Sequence, residues 1–305
     1  MPARRQPALI ATSLLILLAA CTPGASPGSS GQPSPTSGAG SSGGAAPSAS
    51  PVAKAELILR VTTEGGFVGP AANLNAIPEL SVYADGRILS PGAVDAIAPA
   101  PLLPVVAVRD VGPAGAAKIV AAIRTAGLDK PSTAGPGTPG DFGTTVFSVD
   151  VDGSVVTSRL VLGGGSPGRP GLESPNPATA AAADLLARLQ DASETWGAAA
   201  APASVLVPAG YRLFVAPGAP ASDGTLSPQP AVAWPLATAL DQFGSPANPD
   251  RGIAGLRQGA VFGADAATLG PLLAAANSQT AFMSGGMLYT FYVRPLLPDE
   301  VPTPA

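Results

Sequence analysis

The chain has 305 residues, 46% of them hydrophobic and 12% charged, with 37 Gly, 36 Pro and a net charge of −4. The acidic balance leaves no basic footprint, which argues against nucleic acid or anionic lipid headgroups as partners. Histidine is absent and Cys21 is the single cysteine, which excludes Ser-His-Asp and Cys-His catalysis, the imidazole base, the commonest ligand of catalytic zinc and any internal disulfide.

At the amino end the basic pair Arg4 and Arg5 precedes an apolar run from Ala8 to Ala20, which closes on Leu18-Ala19-Ala20-Cys21. A positive start, a short apolar segment and small residues describe a secretory signal, too short to span a bilayer as an ordinary transmembrane helix. Leu18-Ala19-Ala20-Cys21 resembles the lipobox of bacterial lipoproteins. That resemblance implies residues 1–20 as a lipoprotein signal peptide and Cys21 as the lipidated first residue of the mature chain, carrying a diacylglyceryl group and an amide-linked acyl chain such as palmitate. The alternative is ordinary signal cleavage with a spectator thiol. Each buried CH₂ contributes about 0.8 kcal/mol, so several acyl chains suffice for stable attachment. The expected location is the extracytoplasmic face of the membrane, with the membrane itself the first partner through the lipid on Cys21. Loss of Arg4 and Arg5 with the signal would take the net charge from −4 to −6.

From Thr22 to Ala53 the chain is Gly, Ser, Pro, Ala and Thr with one Gln and one Val, and it carries no charge. Residues 21–53 are therefore expected to be a lipidated cysteine followed by a disordered tether, with an r.m.s. span of about 30 Å for about thirty residues. The body that remains is long enough for one large or two ordinary domains. Two α+β units are expected, 54–130 and 140–300, either separate or continuous with one another.

In Glu56 to Thr62, Leu57, Leu59 and Val61 recur at period two, which predicts a half-buried strand with these three on one face. Leu80–Tyr83 and Arg87–Leu89 flank Ala84-Asp85-Gly86, a hairpin signal because Gly accepts positive φ. Val105–Arg109 reads as a strand, and Gly112-Pro113 opens a helix that Gly127 closes. A second hairpin is predicted from Thr145–Asp150 and Ser154–Leu162 around Asp152-Gly153. A helix follows from Asn176-Pro177, with Leu185 and Leu189 on one face and Asp184 and Arg188 as an i,i+4 pair. The repeated order of hairpin, loop and helix reads as a degenerate duplication without residue-level alignment.

The last third predicts a strand at Tyr211–Val215, a helix from Pro235 to Phe243, a short strand near Ala260–Phe262 and a helix near Ala266–Ala276. A hairpin turning on Gly285-Gly286 joins Gln279–Met283 to Met287–Arg294, and the second strand is apolar on both faces, as a central strand should be. Tight hairpins imply antiparallel pairing, so the fold class is α+β: antiparallel hairpins with packed helices, behind the signal and tether.

Several short motifs match chemistry only by letters. Gly164-Gly165-Ser166-Pro167-Gly168 spells a nucleophile elbow, but Pro167 and Pro170 preclude the helix that should follow, and no histidine exists to serve it. The same loop spells a dinucleotide fingerprint from Gly163 to Gly168 without a helix N-terminus to hold a pyrophosphate. Ser148-x-Asp150-x-Asp152-Gly153 imitates a calcium loop, yet Arg159 stands where the bidentate Glu belongs. No Ser-x-x-Lys dyad precedes Lys54, Lys118 or Lys130. Glu64, Asp141, Asp150, Glu173 and Asp184 are the carboxylates from which a glycosidase-like pair would have to come, and Trp196 and Trp234 are either binding platforms or packing.

Glu64-Gly65-Gly66-Phe67, Val82-Tyr83-Ala84-Asp85-Gly86-Arg87 and Arg294-Pro295-Leu296-Leu297-Pro298-Asp299-Glu300 resemble uncharacterised secreted or lipid-anchored proteins of high-GC actinobacteria. The resemblance implies no activity and no site residues. The expectation is a non-enzymatic envelope lipoprotein, binding or structural, with an envelope protein or cell-wall component as its partner and no cofactor or metal. Two alternatives stay open: a ligand-capturing lipoprotein of a transport or sensing system, and a histidine-free carboxylate hydrolase acting on cell-wall glycan.

Overall fold

A computed structural model describes residues 54–65, 69, 71, 73–93, 96, 98–132, 143–162, 177–199, 202–221 and 229–302. These build two mostly antiparallel sheets and three α-helices, an α+β arrangement dominated by strand. The first sheet takes β1 (Leu57–Glu64), β2 (Leu80–Tyr83), β3 (Arg87–Pro91), β4 (Val106–Asp110), β5 (Thr144–Val151), β6 (Ser154–Leu160) and β7 (Ser204–Val205) in the order β6-β5-β1-β2-β3-β4-β7. Helices α1 (Gly112–Thr125) and α2 (Pro177–Gln190) cover one face of it.

The expected face of β1 is corrected at its first residue. A register irregularity between Leu57 and Leu59 sends Leu57 to the face opposite Leu59 and Val61. Leu59 and Val61 join Val82, Phe147, Ile119 and Leu189 in the helix-side core, and Leu57 packs with Tyr83 and Leu89 on the other side. The β2–β3 turn closes through Gly86 at φ 96°, where a Cβ would lie 2.3 Å from the Gly112 carbonyl carbon. Val111 donates its N–H to the Gly86 carbonyl, so this turn also seats the start of α1. Asp152 and Gly153, both at positive φ, make the β5–β6 turn. On α2, Arg188 reaches Glu194 at 3.4 Å and lies 4.5 Å above the Trp196 ring centre, in place of the expected pair with Asp184.

The second sheet takes β8 (Gly210–Pro217), β9 (Val232–Ala233), β10 (Ser245–Pro246), β11 (Arg257–Phe262), β12 (Phe282–Ser284) and β13 (Met287–Pro295) in the order β10-β11-β8-β13-β12-β9. Strand β13 is interior, as its apolar faces predict, and only the β9–β12 pair is parallel. Helix α3 (Gly263–Ala275) packs Leu269 and Leu273 on Leu213, Val293 and Phe291, the last stacked on Phe282 with ring centres 4.1 Å apart. The helix expected over 235–243 does not form. Two of its backbone groups are taken by side chains: the Thr238 carbonyl accepts from the nearby Trp234 indole at 2.8 Å, and the Leu240 N–H donates to the distant Ser284 Oγ at 3.2 Å.

The sheets divide the chain between Val205 and Gly210, not between 130 and 140, because β5 pairs along β1 over six residues and so belongs to the first sheet. The described residues lie in one compact unit, in which chain from the first sheet inserts into the second. Leu102, from the β3–β4 connection, joins the α3-side core and donates its N–H to the Ala276 carbonyl at 3.0 Å. Leu74 packs on Phe214 and Leu256, on the face of the second sheet opposite α3.

Gly86→Ala is expected to destabilise the body by roughly 2–4 kcal/mol, combining strain at positive φ with a backbone collision. Gly153→Ala, also at positive φ but with nothing within 4 Å of its Cβ, should cost only about 1 kcal/mol. Urea midpoints of the two variants measure the difference, and equal shifts would contradict the close approach to Gly112.

Candidate functional site

Cys21 lies outside the described residues, as do Asp141, Glu173 and the glycine-rich loop at 163–168. The structure separates the other nominated carboxylates. Glu64 pairs with Thr144 at one end of β5 while Asp150 sits six residues along that strand, about 20 Å away at the usual rise. A glycosidase pair needs about 5–9.5 Å. Glu64 is bound to Arg159, and Asp184 stands on α2, which covers the sheet face of Phe147 and Val149 that Asp150, at the alternate position, points away from.

The calcium-like stretch is the β5–β6 hairpin, with Asp152 paired to Arg124 at 2.9 Å, and no cluster of three acidic, cysteine or histidine side chains suited to a metal occurs among the described residues. Trp196 is buried beneath Arg188, with its Nε1 unpartnered. Trp234 is half-buried and edge-on to Phe243 and Phe291. Both tryptophans therefore act as packing groups.

An open cleft of about 410 Å³ lies where the C-terminal end of α2 meets β2, β3 and β4. Leu80, Ile88, Val108 and Leu189 give it an apolar lining, with Glu79 and Arg109 as its charged residues. Glu79 accepts a hydrogen bond from the Thr63 hydroxyl. The Arg109 guanidinium donates to the carbonyls of Leu189 and Asp191, placing a cation on the helix C-terminus where orphan carbonyls and the macrodipole favour one. Burial pulls Arg109 below the ordinary guanidinium value, against Asp191 and Glu194, which act to raise it. Asp191 is held below the ordinary carboxylate value, first by the Ser193 hydroxyl and then by the Ser193 N–H. Arg109 is thus spent on positioning α2, and Glu79 is the cleft's remaining charged group.

A second polar constellation lies where the chain leaves β13. Leu296 turns to the second sheet, donating its N–H to Gly210, while Leu297 packs on Tyr83, Leu89 and Val106 of the first. The 3₁₀ turn Pro298–Glu300 follows. Asp299 Oδ1 accepts from Arg60 and from the Tyr83 hydroxyl, each at 2.8 Å. Glu300 accepts from both Nη atoms of Arg294, at 2.6 and 2.7 Å, and from the Leu297 N–H at 3.0 Å. Burial, then Asp299, drives the Tyr83 phenol well above its ordinary value. Burial opposes ionisation of Glu300, but hydrogen bonds and charge from Arg294 outweigh it and hold the carboxyl below the usual range. Arg294 and Glu300 stand in one short phrase, whereas Arg60 is 239 residues from Asp299, a juxtaposition that no spacing announces.

Comparison with known proteins finds no matching family model, no similar curated protein and no similar solved structure.

Because Glu300 titrates below its unfolded value, its contribution is complete above the unfolded carboxylate pKa, near 4.3, and is lost as pH falls through the folded value. Glu300→Gln should cost about 2 kcal/mol at pH 7. The gap from the parent should close toward pH 3 in chemical denaturation, and a gap independent of pH would contradict the ion-pair role.

Proposed function

We propose that the protein is a lipid-anchored lipoprotein at the extracytoplasmic face of the membrane, whose body binds another envelope component and carries out no covalent chemistry. The anchor half rests on Leu18-Ala19-Ala20-Cys21 behind its basic and apolar segments. Among the described residues no helix is long and apolar enough to cross a membrane, which accords with attachment through a lipid. The binding half is carried by the open cleft beside α2: an apolar lining with Glu79, which has no cation partner among the described residues, is suited to recognition. The uncharged run from Thr22 to Ala53 gives the body its reach, so the partner is a protein or wall component near the membrane.

The cleft volume favours one further reading, capture of a small ligand for transport or sensing, since about 300–1,000 Å³ is usual for such sites. Native mass spectrometry of the full chain, purified gently from its own producer, separates the two. A mass excess that denaturation removes, and that Ala192→Trp at the exposed rim of the cleft abolishes, supports capture. A bare mass, with crosslinks to envelope components that Ala192→Trp weakens, supports the macromolecular partner.

Cys21→Ala should abolish labelling by radioactive palmitate and release the chain from the membrane fraction, while circular dichroism and the thermal midpoint stay those of the parent. Continued membrane retention would overturn the anchor.

A further inference from the structure

The face of the second sheet opposite α3 carries a charge arrangement that neither the cleft nor the ion pairs of the turn after β13 explain. Arg212 on β8 stands directly across from Arg294 on β13. Like charges at directly opposed antiparallel positions destabilise a sheet unless something neutralises them. Arg294 is neutralised by Glu300, a bidentate partner. Among the described residues Arg212 has no carboxylate partner: its other cross-strand neighbour is Ala260, and its Nε is buried without a hydrogen-bond partner. The residue as a whole is half-buried, so part of its side chain reaches the surface. The nearby carboxylates are already engaged, Asp299 with Arg60 and Tyr83 and Glu300 with Arg294.

The surroundings resemble a recognition surface. At the positions two residues either side of Arg212 and its neighbours, the same face carries Phe214 and Tyr292, packed with Leu74 and Leu256, and Phe262. Phe262 is 52% exposed, and Arg251 lies 5.2 Å above the Phe214 ring centre. Arginine beside an exposed aromatic ring is the composition of interface anchors, and an unpaired guanidinium is a local cationic point in an otherwise acidic chain, suited to a single anionic group.

We infer that Arg212 is the docking point for a carboxylate presented by the envelope component this protein binds, held by the guanidinium with Phe262 packing beside it. The inference rests on the binding reading and gives that partner its chemistry: an acidic, carboxylate-bearing segment. The bound carboxylate supplies the counter-charge that Arg212 lacks beside the already paired Arg294. The planar fork of arginine suits two parallel hydrogen bonds to one carboxylate, which lysine cannot reproduce.

The test is fluorescence anisotropy of a labelled hexaglutamate peptide titrated with the full chain, repeated with inorganic phosphate as competitor. The parent should bind the peptide, more weakly as salt rises. Arg212→Gln should lose about tenfold or more, Arg212→Lys should lose part of that, and Arg124→Gln, an exposed arginine on α1, should bind like the parent. Unchanged denaturation midpoints show that the variants remain folded. Equal binding by the parent and Arg212→Gln overturns the assignment. So does Arg212-dependent binding of phosphate without binding of the peptide, which would mark a small-oxyanion site instead. If the peptide fails while envelope crosslinking of the parent persists, this site falls and the wider binding reading stands.

Discussion

The ion-pair clasp that follows β13 is the constraint on which the body's architecture depends. Leu296 and Leu297 are adjacent in the chain yet belong to different sheets, and the turn after them sets Asp299 against Arg60 and Tyr83 while Glu300 folds back on Arg294. These groups lie between two hydrophobic cores, where an unpaired charge would be costly. Each carboxylate has charge-assisted donors in place. The arrangement favours one orientation of sheet on sheet: sliding either sheet would strand Arg60 and Tyr83 without Asp299.

Around that clasp the chain interleaves its halves. Leu102 leaves the first sheet to enter the α3-side core, and Leu74 does the same on the opposite face. Such crossings make the body a single compact unit although its strands form two sheets. They also decide where open surface remains. Beside the cleft, Arg109 of β4 ties down the end of α2 by its carbonyls. The Arg212 face remains because the carboxylates of the terminal turn are consumed one strand away.

Local chemistry made much of the fold legible. Asp85-Gly86, Asp152-Gly153 and Gly285-Gly286 each predicted a turn whose glycines sit at positive φ, and each flanking pair of strands formed. Gly112-Pro113 and Gly127 bracketed α1 for the same kind of reason: a proline that pre-sets φ at the start and a glycine that tolerates the left-handed region at the end. The failures came where side-chain bonds to the backbone and a strand irregularity overrode the pattern of the letters. Residues 235–243 have helical letters, but Trp234 and Ser284 claim the backbone groups a helix would use. Leu57 left its predicted face because one irregularity reverses the alternation.

By itself the sequence determined the exclusions, the hairpin turns and the expectation of a lipid anchor at Cys21, since each depends on residue identity over a few positions: no histidine, a glycine where φ must be positive, a cysteine behind three small or apolar residues. Tertiary structure alone decided which strands share a sheet, that Arg60 meets Asp299 across 239 residues, that Glu64 and Asp150 stand apart, and that Arg212 faces Arg294. The physical reason is range. Turn geometry and capping are settled by neighbours along the chain, whereas pairing of charges and burial of faces are settled by whichever distant segments the collapsed core brings together.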